Sequence, residues 1–95
     1  MATGADATIR KNEDKRRFEV MVDGQEAYLT FADDSTRLWL LHTFVPPPLE
    51  GRGIAGRLAK HGLEYARENG LAVVPLRPYV LACIERHPDY QDLVE

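Results

Sequence analysis

Hydrophobic and polar positions alternate along the first half of the chain, and this alternation predicts antiparallel strands. The segment 18–22 alternates residue by residue, and the Asp23 and Gly24 pair after it is typical of a tight two-residue hairpin turn. Segment 27–31 alternates in the same way on the returning strand. A third strand over 37–45 is almost continuously apolar, which predicts a central strand covered on both faces.

The second half of the chain has helical periodicity instead. Apolar residues recur with helical spacing over 54–66, and residues 69–70 form a stop signal. The apolar run 71–76 then predicts a short buried strand, and Pro78 suits the first turn of a second helix that ends before Pro88. Because the connection between the two apolar strands contains a helix, these strands should be parallel. The predicted fold class is mixed α/β (α+β), an antiparallel meander followed by a β-α-β-α unit.

Length and composition allow one small domain. The 95 residues are 44% hydrophobic and 28% charged, which are ordinary values for a globular protein. Residues 1–12 have no apolar periodicity and are expected to form a flexible tail before a single domain over 13–95. The net charge of -3 argues against a nucleic-acid partner, and the longest apolar run is too short for a membrane partner. A single cysteine, Cys83, excludes an internal disulfide and a cysteine-based zinc site, and the expected compartment is the cytoplasm.

A glycine-rich segment joins the third strand to the first helix. Three prolines at 46–48 lead into it, and small residues stand at Gly51, Gly53, Ala55 and Gly56. A helix N-terminus offers unpaired N–H groups and the positive end of the helix dipole, so it suits a phosphate. Small residues let the phosphate approach, and Arg52 and Arg57 add positive charge. The alternative to a phosphate site is a loop made flexible by its glycines, followed by a helix whose first turn is closely packed.

The segment "PLEGRGIAGRLAKHGLEYARENGLAVVPL" resembles the cofactor-binding segment of the GCN5-related N-acetyltransferase superfamily. In that signature a Gln or Arg, two residues, Gly, any residue and then Gly or Ala open a helix after a splayed central strand. Gly53 and Ala55 match the small positions, whereas Glu50 stands where Gln or Arg is usual. Together with "HT.V" and "ERHPDYQDLV", the segment is similar to a branch of very small single-domain acetyltransferase-like proteins, from about Phe18 to the C-terminus.

This resemblance implies a compact GNAT-like fold that holds acetyl-CoA as a cosubstrate between splayed central strands and the helix start. The pantetheine arm would pair with the backbone of 42–45, and the pyrophosphate would lie on the N–H groups of 51–56. Both roles use backbone groups, so they do not depend on the residue at Glu50. The residues expected to contact the cofactor are Thr43, Phe44, Val45, Gly51, Arg52, Gly53, Ile54, Ala55, Gly56 and Arg57.

Acetyl transfer to an amine needs a base for the amine and an acid for the leaving thiolate. His42 is the candidate base, and Tyr79 and Tyr90 are the candidate acids; the alternative for each is a packed side chain with a satisfied polar group. Related small proteins often carry a cysteine where this chain has Arg77, so a thiol relay is not expected. Cys83 is expected to be a buried apolar side chain.

The expected function is N-acetylation of an unidentified amine, with an acetyl-CoA-binding sensor or a protein-interaction module as the alternatives. The chain lacks the additional helices and strands that usually shape an acceptor site in the larger superfamily. The acceptor cleft is therefore expected to be shallow or to be completed by another molecule. A second copy of the chain, in a homodimer, is one such molecule. His61 and His87 are expected in exposed helical positions, and no metal-ligand spacing accompanies them.

Overall fold

Five strands in the order β1-β2-β3-β4-β5 form one sheet in the computed structural model, which describes residues 8–76 and 78–94. The strands are β1 (Arg10–Asn12), β2 (Arg17–Val22), β3 (Gln25–Asp33), β4 (Arg37–Phe44) and β5 (Ala72–Pro75). The α-helices are α1 (Ile54–Glu68) and α2 (Pro78–Arg86), and short 3₁₀ helices span Pro47–Leu49 and Pro88–Leu93. Strands β1 to β4 pair antiparallel and β5 pairs parallel to β4, which confirms the predicted fold class. None of the described helices is long and apolar enough to span a membrane.

The β2–β3 hairpin turns at the predicted dipeptide. Asp23 and Gly24 both have positive φ, 51° and 76°, which is the conformation of a two-residue turn that matches the twist of the strands. The core side of the hairpin carries the buried residues of the predicted alternation, among them Phe18 and Leu29. The local pattern therefore predicted both the turn and the inward face.

Residues 10–12 form β1, although the sequence places them in the N-terminal tail. Three residues are too few to show a period, and contacts with distant residues hold this strand. On one side Lys11 donates a hydrogen bond of 2.8 Å to the Tyr65 hydroxyl of α1. On the other side the Arg10 guanidinium lies 3.1 Å from the Glu19 carboxylate, which is 3% exposed and is also bound by Arg17. These hydrogen bonds, first that from Arg17, lower the pKa of Glu19 despite its burial.

A β-bulge changes the direction of the side chains near the end of β4. Thr30 of β3 pairs with His42, but the next residue, Phe31, pairs with Leu40, so that Leu41 is the extra residue of β4. Because paired residues share a face, Leu40 lies on the core side with Phe31, whereas His42 lies on the outer side with Thr30. An alternating pattern of polar and apolar residues in the sequence does not reveal such a shift in strand register.

The expectation that both faces of β4 are covered is wrong. Leu38 and Leu40 are buried, but Trp39 and Leu41 are only half-buried, and Phe44 is exposed. The nearly continuous apolar run therefore belongs to a strand with one buried face and one partly solvated face.

Helix α1 lies very close to the sheet because a glycine faces it. A Cβ atom added at Gly62 would stand 3.2 Å from Cδ2 of Leu40, 3.5 Å from Phe18 and 3.6 Å from Leu29. The predicted apolar stripe of this helix is confirmed, since its buried residues are Ile54, Leu58, Ala59, Gly62, Leu63 and Ala66. This contact, together with the other buried residues of the helix, positions the N-terminus of α1 relative to the end of β4.

The C-terminal segment is attached to α1 and to the sheet. Buried Val80 and Ile84 of α2 join the common core, and Val94 forms a parallel bridge with Val73 of β5. Arg67 of α1 lies 3.1 Å from the Asp92 carboxylate. Helix α2 and the segment after it therefore lie beside α1, where they can contribute to a site at its N-terminus.

Replacing Gly62 with Leu should lower the free energy of unfolding by about 2–3 kcal/mol, because the new side chain overpacks the contact between α1 and the sheet. Urea unfolding followed by circular dichroism measures this difference. Glu68→Leu, at an exposed position of the same helix, is the matched control and should change the value by less than about 0.5 kcal/mol. Equal effects of the two substitutions would contradict the close packing.

Candidate functional site

A cleft of about 700 Å³ lies between the end of β4 and the beginning of α1. This volume is within the range of small-molecule and cofactor sites. Its lining residues are His42, Thr43, Phe44, Val45, Pro47, Leu49, Glu50, Gly51, Gly53, Ile54, Ala55, Gly56 and Arg86. The cleft therefore brings together His42 and most of the residues that the sequence indicates for a cofactor, apart from Arg52 and Arg57.

The cleft exists because β4 and β5 separate. The parallel ladder runs from Arg37 with Ala72 to Leu40 with Pro75, and β4 then continues to Phe44 without a described partner strand on that side. The proline at the end of β5 has no N–H group to extend the ladder. The backbone of 42–44 consequently presents an open strand edge, to which an extended ligand with amide groups can add.

The other wall of the cleft is an uncapped helix start. Gly51 and Gly53 have φ values of 85° and 75°, a conformation that favours glycine, and nothing lies within 4 Å of a Cβ atom built on either residue. No side chain of the described residues caps α1, and no acidic residue stands in its first turn. The N–H groups of 54–56 therefore lack intrahelical acceptors and lie at the positive end of the helix dipole. This wall suits an anion.

Thr43 adds an unsatisfied polar group to the cleft. Its hydroxyl oxygen is fully buried and has no hydrogen-bond partner among the residues that the structure describes. The residue lines the cleft, and its pairing with buried Leu29 places it on the core face of the sheet. Such an unpaired group costs about 1–3 kcal/mol, and a bound ligand that pairs with it recovers this cost.

His42 is exposed and is one of the residues that line the cleft. Its backbone N–H donates a hydrogen bond of 3.1 Å to the Thr30 hydroxyl, which in turn lies 3.3 Å from the His42 carbonyl oxygen. These two contacts fix the backbone beside the bulge while the imidazole stays accessible. An accessible imidazole beside an open cleft can accept a proton from an incoming amine.

The structure does not bring the Tyr90 hydroxyl to the cleft. Tyr90 is 2% exposed, and its hydroxyl donates a hydrogen bond to the Glu64 carboxylate of α1. Glu64 follows Ile54 by ten residues, or about 15 Å along the helix. Burial and the Glu64 carboxylate raise the pKa of Tyr90 to about 12. The Tyr79 side chain and Arg77 lie outside the described residues.

The arginine that lines the cleft is not one of those that the sequence suggested. Arg52 lies 2.6 Å from the Asp23 carboxylate in the β2–β3 turn and does not line the cleft. Arg86, at the end of α2, does line it and was not identified from the sequence. In the sequence Arg86 is recognisable only as a basic residue in the last turn of a helix. That feature does not indicate that the helix packs beside α1.

The single cysteine and the other two histidines are not arranged as a metal site. Cys83 is buried as expected, and burial raises the pKa of its thiol. His61 is half-buried rather than exposed, since its ring lies 5.4 Å from that of Phe18, and burial lowers its pKa. His87 is also half-buried. Within residues 8–76 and 78–94 no group of His, Cys, Asp and Glu side chains could hold a metal ion.

Comparison with known proteins identifies the family. The model of a family described as GCN5-related N-acetyl-transferase matches residues 17–93 of this chain. The NMR solution structure of a GCN5-like protein from Staphylococcus aureus is similar with a TM-score of 0.70 at 25% sequence identity. That match covers 100% of this chain and 91% of the other. The chain belongs to the GCN5-related N-acetyltransferase family, and the resemblance seen in its motifs is confirmed.

The buried Tyr90 should make stability depend on alkaline pH. An unfolded tyrosine ionises near pH 10, and the folded one near pH 12, so its stabilisation is complete below pH 10 and is lost as the pH rises towards 12. Urea unfolding between pH 9 and pH 12 should show a loss of the order of 2 kcal/mol in the wild-type protein. Tyr90→Phe, which keeps the ring, should lack this component; parallel curves for the two proteins would contradict the assignment.

Proposed function

We propose that this member of the GCN5-related N-acetyltransferase family binds acetyl-CoA in the cleft and transfers its acetyl group to an amine. One observation carries the proposal: the open edge of β4 and the uncapped start of α1 are two walls of the same cleft. The two amides of a pantetheine arm suit the strand edge, and a pyrophosphate suits the helix start. The pantetheine arm and the pyrophosphate are adjoining parts of one CoA molecule.

The residues of the cleft fit this cosubstrate. The space above Gly51 and Gly53 is open, so that phosphate oxygens can approach the backbone. The buried Thr43 hydroxyl can pair with a polar group of the pantetheine arm, which removes the cost of leaving it unpaired. Glu50 is exposed at the edge of the cleft, and the backbone contacts do not require its side chain.

Acetyl transfer requires that the amine and the thioester are held close together, and that a proton is removed from the amine. His42 accepts a proton from the incoming amine, whose nitrogen attacks the thioester carbonyl carbon. The carbon–sulfur bond then breaks, and the leaving thiolate takes up a proton. Holding both reactants in one cleft makes the reaction effectively intramolecular, which lowers the barrier further. Tyr79, in the first turn of α2, is the candidate donor for the thiolate in place of Tyr90.

A binding module that recognises acetyl-CoA without turnover is the second candidate function. The observation that favours it is the position of Tyr90, which is hydrogen-bonded to Glu64 and does not line the cleft. The two candidate functions share the cosubstrate and differ only in the fate of the acetyl group. Thiol release in the presence of a panel of amines separates them.

Calorimetric titration with acetyl-CoA should show saturable binding to the wild-type protein, with a dissociation constant in the micromolar range. Gly53→Glu should weaken it at least about 10-fold, because a carboxylate would repel the pyrophosphate at the helix start. Gly70→Glu is the matched control: its φ of 66° is equally positive and its surroundings are equally open, but it lies at the other end of α1. Absence of wild-type binding at millimolar acetyl-CoA would refute the proposal.

Replacing His42 with Ala should lower kcat for amine acetylation by about 100-fold or more, because the variant loses its general base. The dissociation constant of acetyl-CoA should stay within about 2-fold of wild type, since the cosubstrate contacts use backbone groups. Tyr90→Phe should leave kcat unchanged, because that hydroxyl does not line the cleft. If the wild-type protein binds acetyl-CoA but releases no thiol with any amine, the second candidate function holds.

A further inference from the structure

The last residues of β4 are held by only one of the described strands. The parallel ladder with β5 ends at Leu40, and beyond this residue β4 pairs with β3 alone. The remaining pairs are Thr30 with His42, Leu29 with Thr43 and Tyr28 with Phe44. Because the second ladder is missing here, the contacts with β3 decide where the backbone of His42 lies.

The register of these pairs decides which face of the sheet the imidazole takes. The extra residue of the bulge, Leu41, directly precedes His42. A regular ladder without the bulge would instead pair Leu41 with Thr30. His42 would then pair with Leu29, whose side chain is buried in the core. The imidazole therefore reaches the outer face only in the bulged register.

The Thr30 side chain contacts the backbone of His42 in this register. The backbone N–H of His42 donates a hydrogen bond of 3.1 Å to the Thr30 hydroxyl oxygen, and this hydroxyl lies 3.3 Å from the His42 carbonyl oxygen. A hydroxyl is both a donor and an acceptor, so one side chain pairs with both backbone groups of the same residue. A valine has a similar shape but could make neither contact.

The position of this backbone matters for the chemistry of a proton acceptor. A base acts only when its nitrogen lies within hydrogen-bond reach of the proton that it removes. A displacement of about 1 Å can lower the rate of a reaction by about 100-fold. Because His42 is exposed, its backbone rather than the packing of its ring determines where the imidazole lies.

We propose that Thr30 is a positioning residue for acetyl transfer, because its hydroxyl holds His42 in the register that directs the imidazole towards the acceptor amine. The inference rests on the proposed function, since it concerns the base of that reaction. In the reaction the amine nitrogen bonds to the acetyl carbonyl carbon and gives a proton to His42. The carbon–sulfur bond breaks, and its electron pair leaves with the sulfur as the thiolate of CoA. Thr30 acts on this step only through His42.

The experiment measures kcat by thiol release, with acetyl-CoA and the amine of the panel that the wild-type protein acetylates fastest. Thr30→Val should lower kcat by about 10-fold, because the base is displaced but not removed. Thr30→Ala, which also lacks the hydroxyl, should show a similar loss, whereas Thr30→Ser should stay within about 2-fold of wild type. The dissociation constant of acetyl-CoA should stay within about 2-fold in all three variants, since the start of α1 is unchanged.

Thr8→Val is the matched control, because it makes the same substitution at an exposed residue that does not line the cleft. It should keep the wild-type kcat. Circular dichroism should show that Thr30→Val and Thr8→Val have the secondary structure of the wild-type protein.

A double-mutant cycle with His42→Ala separates positioning from a general structural role. If Thr30 acts through the imidazole, adding Thr30→Val to His42→Ala should lower the remaining kcat by less than about 2-fold, because no base is left to displace. A loss of about 10-fold in both backgrounds would mean that Thr30 supports the fold as a whole, and it would overturn the inference.

The other outcomes distinguish this inference from the proposed function. A wild-type kcat in Thr30→Val, together with the expected loss in His42→Ala, would overturn the inference and leave the proposed function intact. A loss in Thr30→Ser as large as that in Thr30→Val would also overturn it, since the hydroxyl would then not be the group that matters. Absence of thiol release by the wild-type protein with every amine would remove acetyl transfer and the inference together.

Discussion

The site depends on the close contact between α1 and the sheet at Gly62. With no side chain at this position, the helix backbone lies against Phe18, Leu29 and Leu40. The other buried residues of α1, from Ile54 to Ala66, hold the helix along the rest of its length, and the N–H groups of 54–56 lie beside the end of β4. Since a dipole acts only over the first turn, this placement decides whether the helix start can serve the cleft at all.

Strand β4 supplies both backbone groups and side chains to the site, because its β-bulge lies near the point where it separates from β5. After Leu40 the strand has no β5 partner on one edge, which leaves backbone groups for a ligand. The extra residue Leu41 places Thr43 on the core face and His42 on the outer face. A buried hydroxyl for the cosubstrate and an accessible imidazole for an amine therefore come from neighbouring residues. Bulges next to functional sites commonly redirect side chains in this way.

The charges of the chain are distributed by its tertiary contacts. Arg52 is attached to Asp23, and Arg67 is attached to Asp92, so these cations hold parts of the fold together. Arg86 instead lines the cleft, and Arg86 and Lys60 both line a smaller cavity of about 220 Å³ next to the start of α1. An acidic protein thus presents a local positive field where the cleft suits an anion, and a field of this kind can concentrate an anionic ligand.

The sequence by itself determined the features that neighbouring residues specify. The hairpin at Asp23 and Gly24, the apolar stripe of α1 and its glycine-rich beginning follow from local periodicity and backbone conformation, while the family resemblance comes from the residue identities of the motifs. Only the tertiary structure decided the bulge at Leu41, the pairing of β1, the contribution of Arg86 and the removal of Tyr90 from the cleft. Each of these depends on a partner far away in the chain, and a local pattern of polarity carries no information on which distant elements become neighbours.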